Sequence, residues 1–155
     1  MPQTSDISYD AIWAALTSRF RLGDDSLHGP SHWRRVEQFG LRLAAATEGA
    51  DLVVVQLFAV FHDSQRRNEY ADPEHGPDAA RAVRQRQGDW FTLNEWQLET
   101  LCFACHDHAD GEVTPDPTIG CCWDSDRLDL PRVGIPPHRD LMSTELGKTL
   151  AAIQH

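Results

Sequence analysis

The sequence predicts an all-α protein, a compact bundle of about six to seven helices. Several segments repeat apolar residues at helical spacing. No convincing alternating pattern of a half-buried strand occurs anywhere in the 155 residues. The most apolar segment, residues 52–61 (LVVVQLFAVF), is longer than a typical buried strand and ends abruptly in His62-Asp63. The length predicts one domain, residues 1–155, able to bury roughly two-thirds of its unfolded surface.

The first helix is expected over residues 5–20, opened by Ser5 and Asp6. Ile7, Ala11, Ala14, Ala15 and Leu16 form its apolar stripe. Residues 21–30 read as a loop. Ser31 is placed to cap a second helix over residues 32–47, with Val36, Phe39, Leu43 and Ala46 inward. Asp51 starts the apolar helix, although three consecutive valines leave a buried strand as a competitor.

Residues 68–77 are polar, carry two prolines and read as a loop before a helix over residues 78–87, closed by Gly88. Thr92-Leu93-Asn94-Glu95 has capping-box spacing and predicts a helix to about Cys105–His108. A second proline-containing loop covers residues 111–120. A short helix around residues 124–130, a Pro-rich segment (Pro131, Pro136, Pro137) and a final helix over residues 144–153 complete the chain.

The formal net charge of −10 argues against general nucleic-acid binding, which needs clustered Lys and Arg. It leaves room for a small anionic substrate. Of the 14 basic residues all but Lys148 are Arg, the side chain that grips phosphate bidentately. No apolar run is long enough to span a membrane, and residues 1–8 lack a basic, oily signal segment. A cytoplasmic protein with reduced cysteines is the expectation.

A His-Asp dipeptide carries little information in a chain with 8 His, since chance alone supplies such a pair. The chain has two, His62-Asp63 and His106-Asp107. Context separates them: the first follows an oily helix, where polar groups persist only if something satisfies them. His32 upstream and Asp126 downstream make a metal ion the better explanation, because imidazole and carboxylate together suit divalent Mn, Fe, Co, Ni and Zn. Ligands drawn from separate helices of a bundle would hold the ion and leave positions for water and substrate.

Four segments carry a resemblance in order: His28-Gly29-Pro30-Ser31-His32-Trp33-Arg34-Arg35-Val36, Phe61-His62-Asp63, Glu74-His75-Gly76 and Asp126-Arg127-Leu128. Over residues 28–130 the chain resembles the HD-domain metal-dependent phosphohydrolases. The resemblance implies an HD-type helical fold. It maps the family's H…HD…D ligand pattern onto His32, His62, Asp63 and Asp126. Choosing Asp126 over Asp124 or Asp129 rests on the family's habit of following that Asp with a basic residue and Leu.

The resemblance also implies a second tier of residues. His75 and one of His106 or His108 stand where family members bind a second metal or the substrate phosphate. The expected cofactor is a divalent ion (Mn, Fe, Co, Ni, Zn or Mg), one or two per chain. Asp63 is expected to serve as ligand and as acceptor or orienter of a water proton. His62 is expected to act beside it, and Arg66 to meet an anionic substrate. Arg127 reads as structural, paired with a nearby carboxylate.

The expected reaction is hydrolysis of a phosphate ester or nucleotide. The alternatives are a diiron oxygenase on the same scaffold and an inactive nucleotide-binding or regulatory module. The expected partner is a small phosphorylated substrate, with a homodimer also compatible. Trp33 and Trp123, each close to a proposed ligand, could wall the site. Cys102-Phe103-Ala104-Cys105-His106 fits a haem-attachment pattern, but it falls inside a periodic helix in a chain without an export signal. Cys102, Cys105, Cys121 and Cys122 fit paired zinc spacing poorly and read as small buried hydrophobes.

Overall fold

The computed structural model describes residues 6–153. Among them are seven α-helices and no strand: α1 (Tyr9–Arg19), α2 (Pro30–Ala46), α3 (Leu52–Phe61), α4 (His75–Arg86), α5 (Glu95–Asp107), α6 (Pro117–Arg127) and α7 (Glu145–Ile153). Two 3-10 turns, Leu130–Val133 and Arg139–Leu141, lie between α6 and α7. An isolated parallel bridge joins Gln87 to Phe91. No helix among the described residues is long and apolar enough to cross a membrane.

The apolar segment is the central helix, and α1, α2, α4, α5 and α6 all pack against it. Val54, Val55 and the whole stretch from Leu57 to Phe61 are buried, as expected for a helix hydrophobic on every side. β-branched residues cost at most about 0.7 kcal/mol each in a helix. Burying each returns roughly 1.5–3 kcal/mol, so packing decides against the strand. The helix begins where the Asp51 side chain accepts a hydrogen bond from the Val54 N–H at 3.0 Å.

Several boundaries and faces differ from the sequence expectation, each for a local reason. Ser5 lies outside the described residues, and α1 starts at Tyr9. Its buried face is Ile12, Trp13 and Leu16, while Ala11 and Ala14 are exposed. Trp13 carries far more apolar area than an alanine; its ring sits 6.0 Å from that of Trp33, with the Arg34 guanidinium 3.6 Å above it. Helix α2 begins at Pro30, whose fixed φ and missing N–H suit the first helical position. Ser31 is therefore inside the first turn and not the cap. The inner face of α2 is His32, Trp33, Val36, Gly40 and Leu43; Phe39 is half-buried and Ala46 exposed.

Helix α4 starts at His75, three residues early, with Pro77 tolerated in its first turn. Helix α5 is capped by Asn94 and Gln97, and not by Thr92 and Glu95. The Asn94 carboxamide accepts from the Gln97 N–H at 2.8 Å, and Gln97 accepts from the Asn94 N–H at 3.1 Å. Gln97 also donates to Asp51 at 3.1 Å, so the caps of α3 and α5 are one network. Helix α6 begins at Pro117, well before the expected residue 124, because Asp116 caps the Ile119 N–H at 2.9 Å. The four cysteines are free and buried, and burial raises their thiols above the usual range.

Helices α4 and α5 come into close contact at Gly76, directly after His75. A Cβ there would lie 2.5 Å from the His106 carbonyl oxygen and 2.9 Å from that of Cys105. Backbone on both sides leaves nothing that can swing away. Gly76→Ala is expected to cost roughly 1–3 kcal/mol through overpacking. Thermal unfolding should show it as a midpoint lowered by about 2–4 °C per kcal/mol.

Candidate metal centre

Five helices deliver polar side chains to one buried point. His62 and Asp63 follow the last turn of α3, His32 sits in the first turn of α2, and Asp126 is near the end of α6. His75 opens α4, and His108 is the C-cap of α5. His32, His62, Asp63, His75 and His108 are all buried.

Each imidazole is oriented through Nδ1. His32 Nδ1 lies 2.7 Å from an oxygen of Asp129, which Arg35 holds at 2.8 Å. His62 Nδ1 faces the carbonyls of Phe58 and Ala59 at 3.1 and 3.0 Å, with its ring stacked on Phe58. His75 Nδ1 meets the Asp72 carbonyl, and His108 Nδ1 meets that of Cys105 at 2.7 Å. Carbonyls and carboxylates only accept, so Nδ1 carries the proton in all four rings. In the neutral rings Nε2 is left as a lone pair.

The Nε2 atoms face one another in two pairs, and wherever neither carries a proton both are acceptors. His32 Nε2 and His62 Nε2 are 3.1 Å apart, and His75 Nε2 and His108 Nε2 are 3.0 Å apart. Two acceptors at that distance have nothing to share without a proton or a cation. The Asp63 carboxylate divides between the pairs. Its Oδ2 lies 3.3 Å from His32 Nε2 and 3.5 Å from His62 Nε2. Its Oδ1 lies 3.3 Å from both His75 Nε2 and His108 Nε2. Asp126 Oδ1 completes the first group at 3.1 and 3.4 Å from His32 and His62. Metal–nitrogen bonds of about 2.0–2.1 Å, at right or tetrahedral angles, put neighbouring donors about 2.9–3.4 Å apart. His32, His62, Asp63 and Asp126 therefore fit one ion, and Asp63, His75 and His108 a second.

The charges agree with this arrangement. Burial alone would lower the pKa of His32, but hydrogen bonds with Asp126, Asp129 and Asp63 outweigh it and raise it to about 10. For His62 burial prevails, and its pKa is lowered. In His108 burial is outweighed by Asp63, which raises the ring. Burial works against ionised Asp63 and Asp126 as well. Asp63 is nevertheless held well below the usual carboxylate range by its electrostatic interaction with His62 and by His108, His32 and His75 beside it. Asp126 is held down by its hydrogen bonds with His32 and His62.

Beside the two groups opens a cavity of about 310 Å³, lined by His28, Arg66, Arg127 and Arg132 on its polar side and by Leu130, Val133 and Leu141 elsewhere. Arg66 Nε lies 3.7 Å from Asp63 Oδ1, and its Nη1 donates to the carbonyls of Asn68 and Tyr70 at 3.3 and 2.9 Å. His28 lies 3.9 Å from Asp63 and donates from Nε2 to the Glu69 carbonyl at 3.1 Å.

Of the two later histidines that the sequence offers as alternatives, His108 joins the cluster. His106, two residues earlier and so on another face of the helix, is exposed and pairs with Asp107 at 2.7 Å. Trp33 and Trp123 do not wall the cavity. Both are buried in the core, donating to the carbonyls of His28 and Ala104 at 2.8 and 3.0 Å. Arg127 binds a carbonyl, that of Leu141 at 2.8 Å, in place of the expected carboxylate.

Asp129, Arg35 and His28 join the site without having been expected there from sequence. The i, i+3 spacings of His32 to Arg35 and Asp126 to Asp129 were the available signal. Asp124 serves elsewhere. It accepts from the Ser143 N–H, the Thr144 N–H and the Thr144 hydroxyl at 2.7–2.8 Å, anchoring the start of α7.

No protein-family model and no curated protein matches the chain. Among solved structures it is similar to a crystal structure of a predicted HD superfamily hydrolase from an uncultured Thermotogales bacterium. The TM-score is 0.73 and the identity 23%, covering 94% of this chain and 83% of that one. The likeness establishes the HD-type all-α fold.

The two candidate histidines separate by metal content. His108→Ala is expected to reduce bound metal and His106→Ala to leave it at the wild-type level, read by elemental analysis after reconstitution. Because His32 is protonated below about 10, an entering cation must displace that proton. Affinity should rise with pH and fall on acidification, and calorimetry in buffers of different ionisation enthalpy should show protons released on metal binding at neutral pH.

Proposed function

We propose that the chain is a metal-dependent hydrolase of phosphate esters, acting on a small phosphorylated substrate such as a nucleotide. The observation that carries this reading is the pair of facing Nε2 groups divided by Asp63, beside an arginine-lined cavity. His32, His62, Asp63 and Asp126 would hold one divalent ion and Asp63, His75 and His108 another. Imidazole-rich donor sets of this kind favour Mn, Fe, Co, Ni or Zn over Mg. When bound, such ions lower the pKa of a water toward neutrality and polarise a phosphoryl oxygen.

The chain's own groups do the remaining work. Asp63 presents lone pairs toward both groups and is placed to orient the proton of the attacking water. His62, fixed by two backbone carbonyls, keeps its Nε2 aimed at the same point. Arg66 offsets charge on the phosphoryl oxygens. Leu130, Val133 and Leu141 give the leaving group an apolar surface.

A diiron oxygenase is the second reading, favoured by the Asp63, His75, His108 group that a two-metal centre requires. The arginines of the cavity suit an anionic substrate in either reading, and in phosphoryl transfer they would also offset charge that develops on the phosphoryl oxygens. A regulatory module would bind nucleotide tightly without turnover.

The test is a metal-reconstituted sample assayed against nucleotides and phosphomonoesters. Hydrolysis is expected, and His62→Ala should lose metal and turnover together. No hydrolysis across the panel, with metal retained in His62→Ala, would falsify the scheme. Asp63→Asn should lower kcat by roughly 10²-fold or more with helical content unchanged by circular dichroism.

A further inference from the structure

Three arginines line the cavity beside the two groups, and they differ in how fully their guanidinium groups are engaged. Arg66, Arg127 and Arg132 line it against the carboxylates of Asp63 and Asp126, and any divalent ion adds to the positive side. Arg132 is engaged along its whole guanidinium. Nε donates to the Leu27 carbonyl at 2.8 Å, Nη1 to that of Asp129 at 2.9 Å, and Nη2 to His28 Nδ1 at 3.4 Å.

Arg127 is not so engaged. It is only 7% exposed, it is held through Nη1 by the Leu141 carbonyl, and its guanidinium lies 5.6 Å from the Trp123 ring. Its Nη2 is buried and has no hydrogen-bond partner among the described residues. Arg66 Nε, 3.7 Å from Asp63 Oδ1 and so beyond hydrogen-bond distance, likewise has no hydrogen-bond partner among the described residues. Buried N–H groups without acceptors are rare in folded proteins and point to a missing partner.

The two arginines that carry these groups line the cavity from different elements. Arg66 follows α3 and lies beside Asp63, so its partner belongs with the reacting phosphoryl. Arg127 is the last residue of α6, on the wall shared with Leu130, Val133 and Leu141, where the rest of the substrate must sit. A guanidinium gains most from an anionic acceptor, which it can bind through two N–H groups.

We propose that the site takes a small phosphomonoester whose leaving group carries a second anionic group, a carboxylate or a second phosphate, and that Arg127 binds that group. This rests on the phosphohydrolase reading above.

The test uses two matched pairs on the metal-loaded protein: 3-phosphoglycerate against glycerol 3-phosphate, and adenosine 3′,5′-bisphosphate against 5′-AMP. One charge-assisted hydrogen bond predicts a kcat/KM at least about tenfold higher for the more anionic member of one pair. The pair that shows it tells carboxylate from phosphate. Arg127→Gln should collapse the ratio, chiefly through KM, and Arg127→Lys should restore part of it.

Ratios near one in both pairs overturn the proposal, as does a ratio that survives Arg127→Gln. Should Arg127→Gln fail to fold, the wild-type ratios and Arg127→Lys decide. If no ester is hydrolysed, the phosphohydrolase reading fails separately, and calorimetric titration with the same four compounds decides on Arg127. Tighter binding of the more anionic member, weakened in Arg127→Gln, keeps the proposal; equal binding overturns it.

Discussion

The carboxylate of Asp63 has one oxygen within 3.3–3.5 Å of His32 and His62 and the other at 3.3 Å from His75 and His108. Three helices besides its own must converge for that division to exist, since the other imidazoles come from α2, α4 and α5, and α6 adds Asp126 beside them. An ionised carboxylate at 2% exposure is tolerable only when surrounded in this way. Much of the bundle can be understood as the arrangement that lets this one charge be buried.

The hydrophobic core and the polar centre are two parts of one construction. Helix α3 is apolar on all sides because five helices cover it, and those same contacts aim the polar groups at its end. Close approach is required, as at Gly76, where α4 touches the backbone of α5, and at Gly40, where a Cβ would stand 2.7 Å from Val55. Orientation then comes from the second ring nitrogens. Backbone carbonyls hold Nδ1 of His62, His75 and His108, and an Asp129–Arg35 pair holds that of His32. Such outer contacts set tautomer and direction before any ligand arrives.

Much of the fold is legible in the chain because helical periodicity and the oily run are local signals. The boundaries are less so. Pro30 and Pro117 read as loop residues by composition, yet each starts a helix, because the first helical position has no use for the missing N–H. The cap of α5 is displaced by two residues from the expected one, since Gln97 satisfies Asn94 and Asp51 together, and Asp51 is distant in sequence. The face of α1 differs from its apolar stripe because one tryptophan outweighs several alanines in buried area.

Residue type, order and local context were enough to establish the helical class, the central apolar helix, and the grouping of His32, His62, Asp63 and Asp126. Packing decided what no local pattern can express. It chose His108 over His106, gave Asp124, Asp126 and Asp129 three separate roles within two turns, and left Arg127 with a buried N–H facing no acceptor among the described residues. The reason is directional: a side chain's partners depend on where neighbouring helices stand, and that is set by contacts across the whole core.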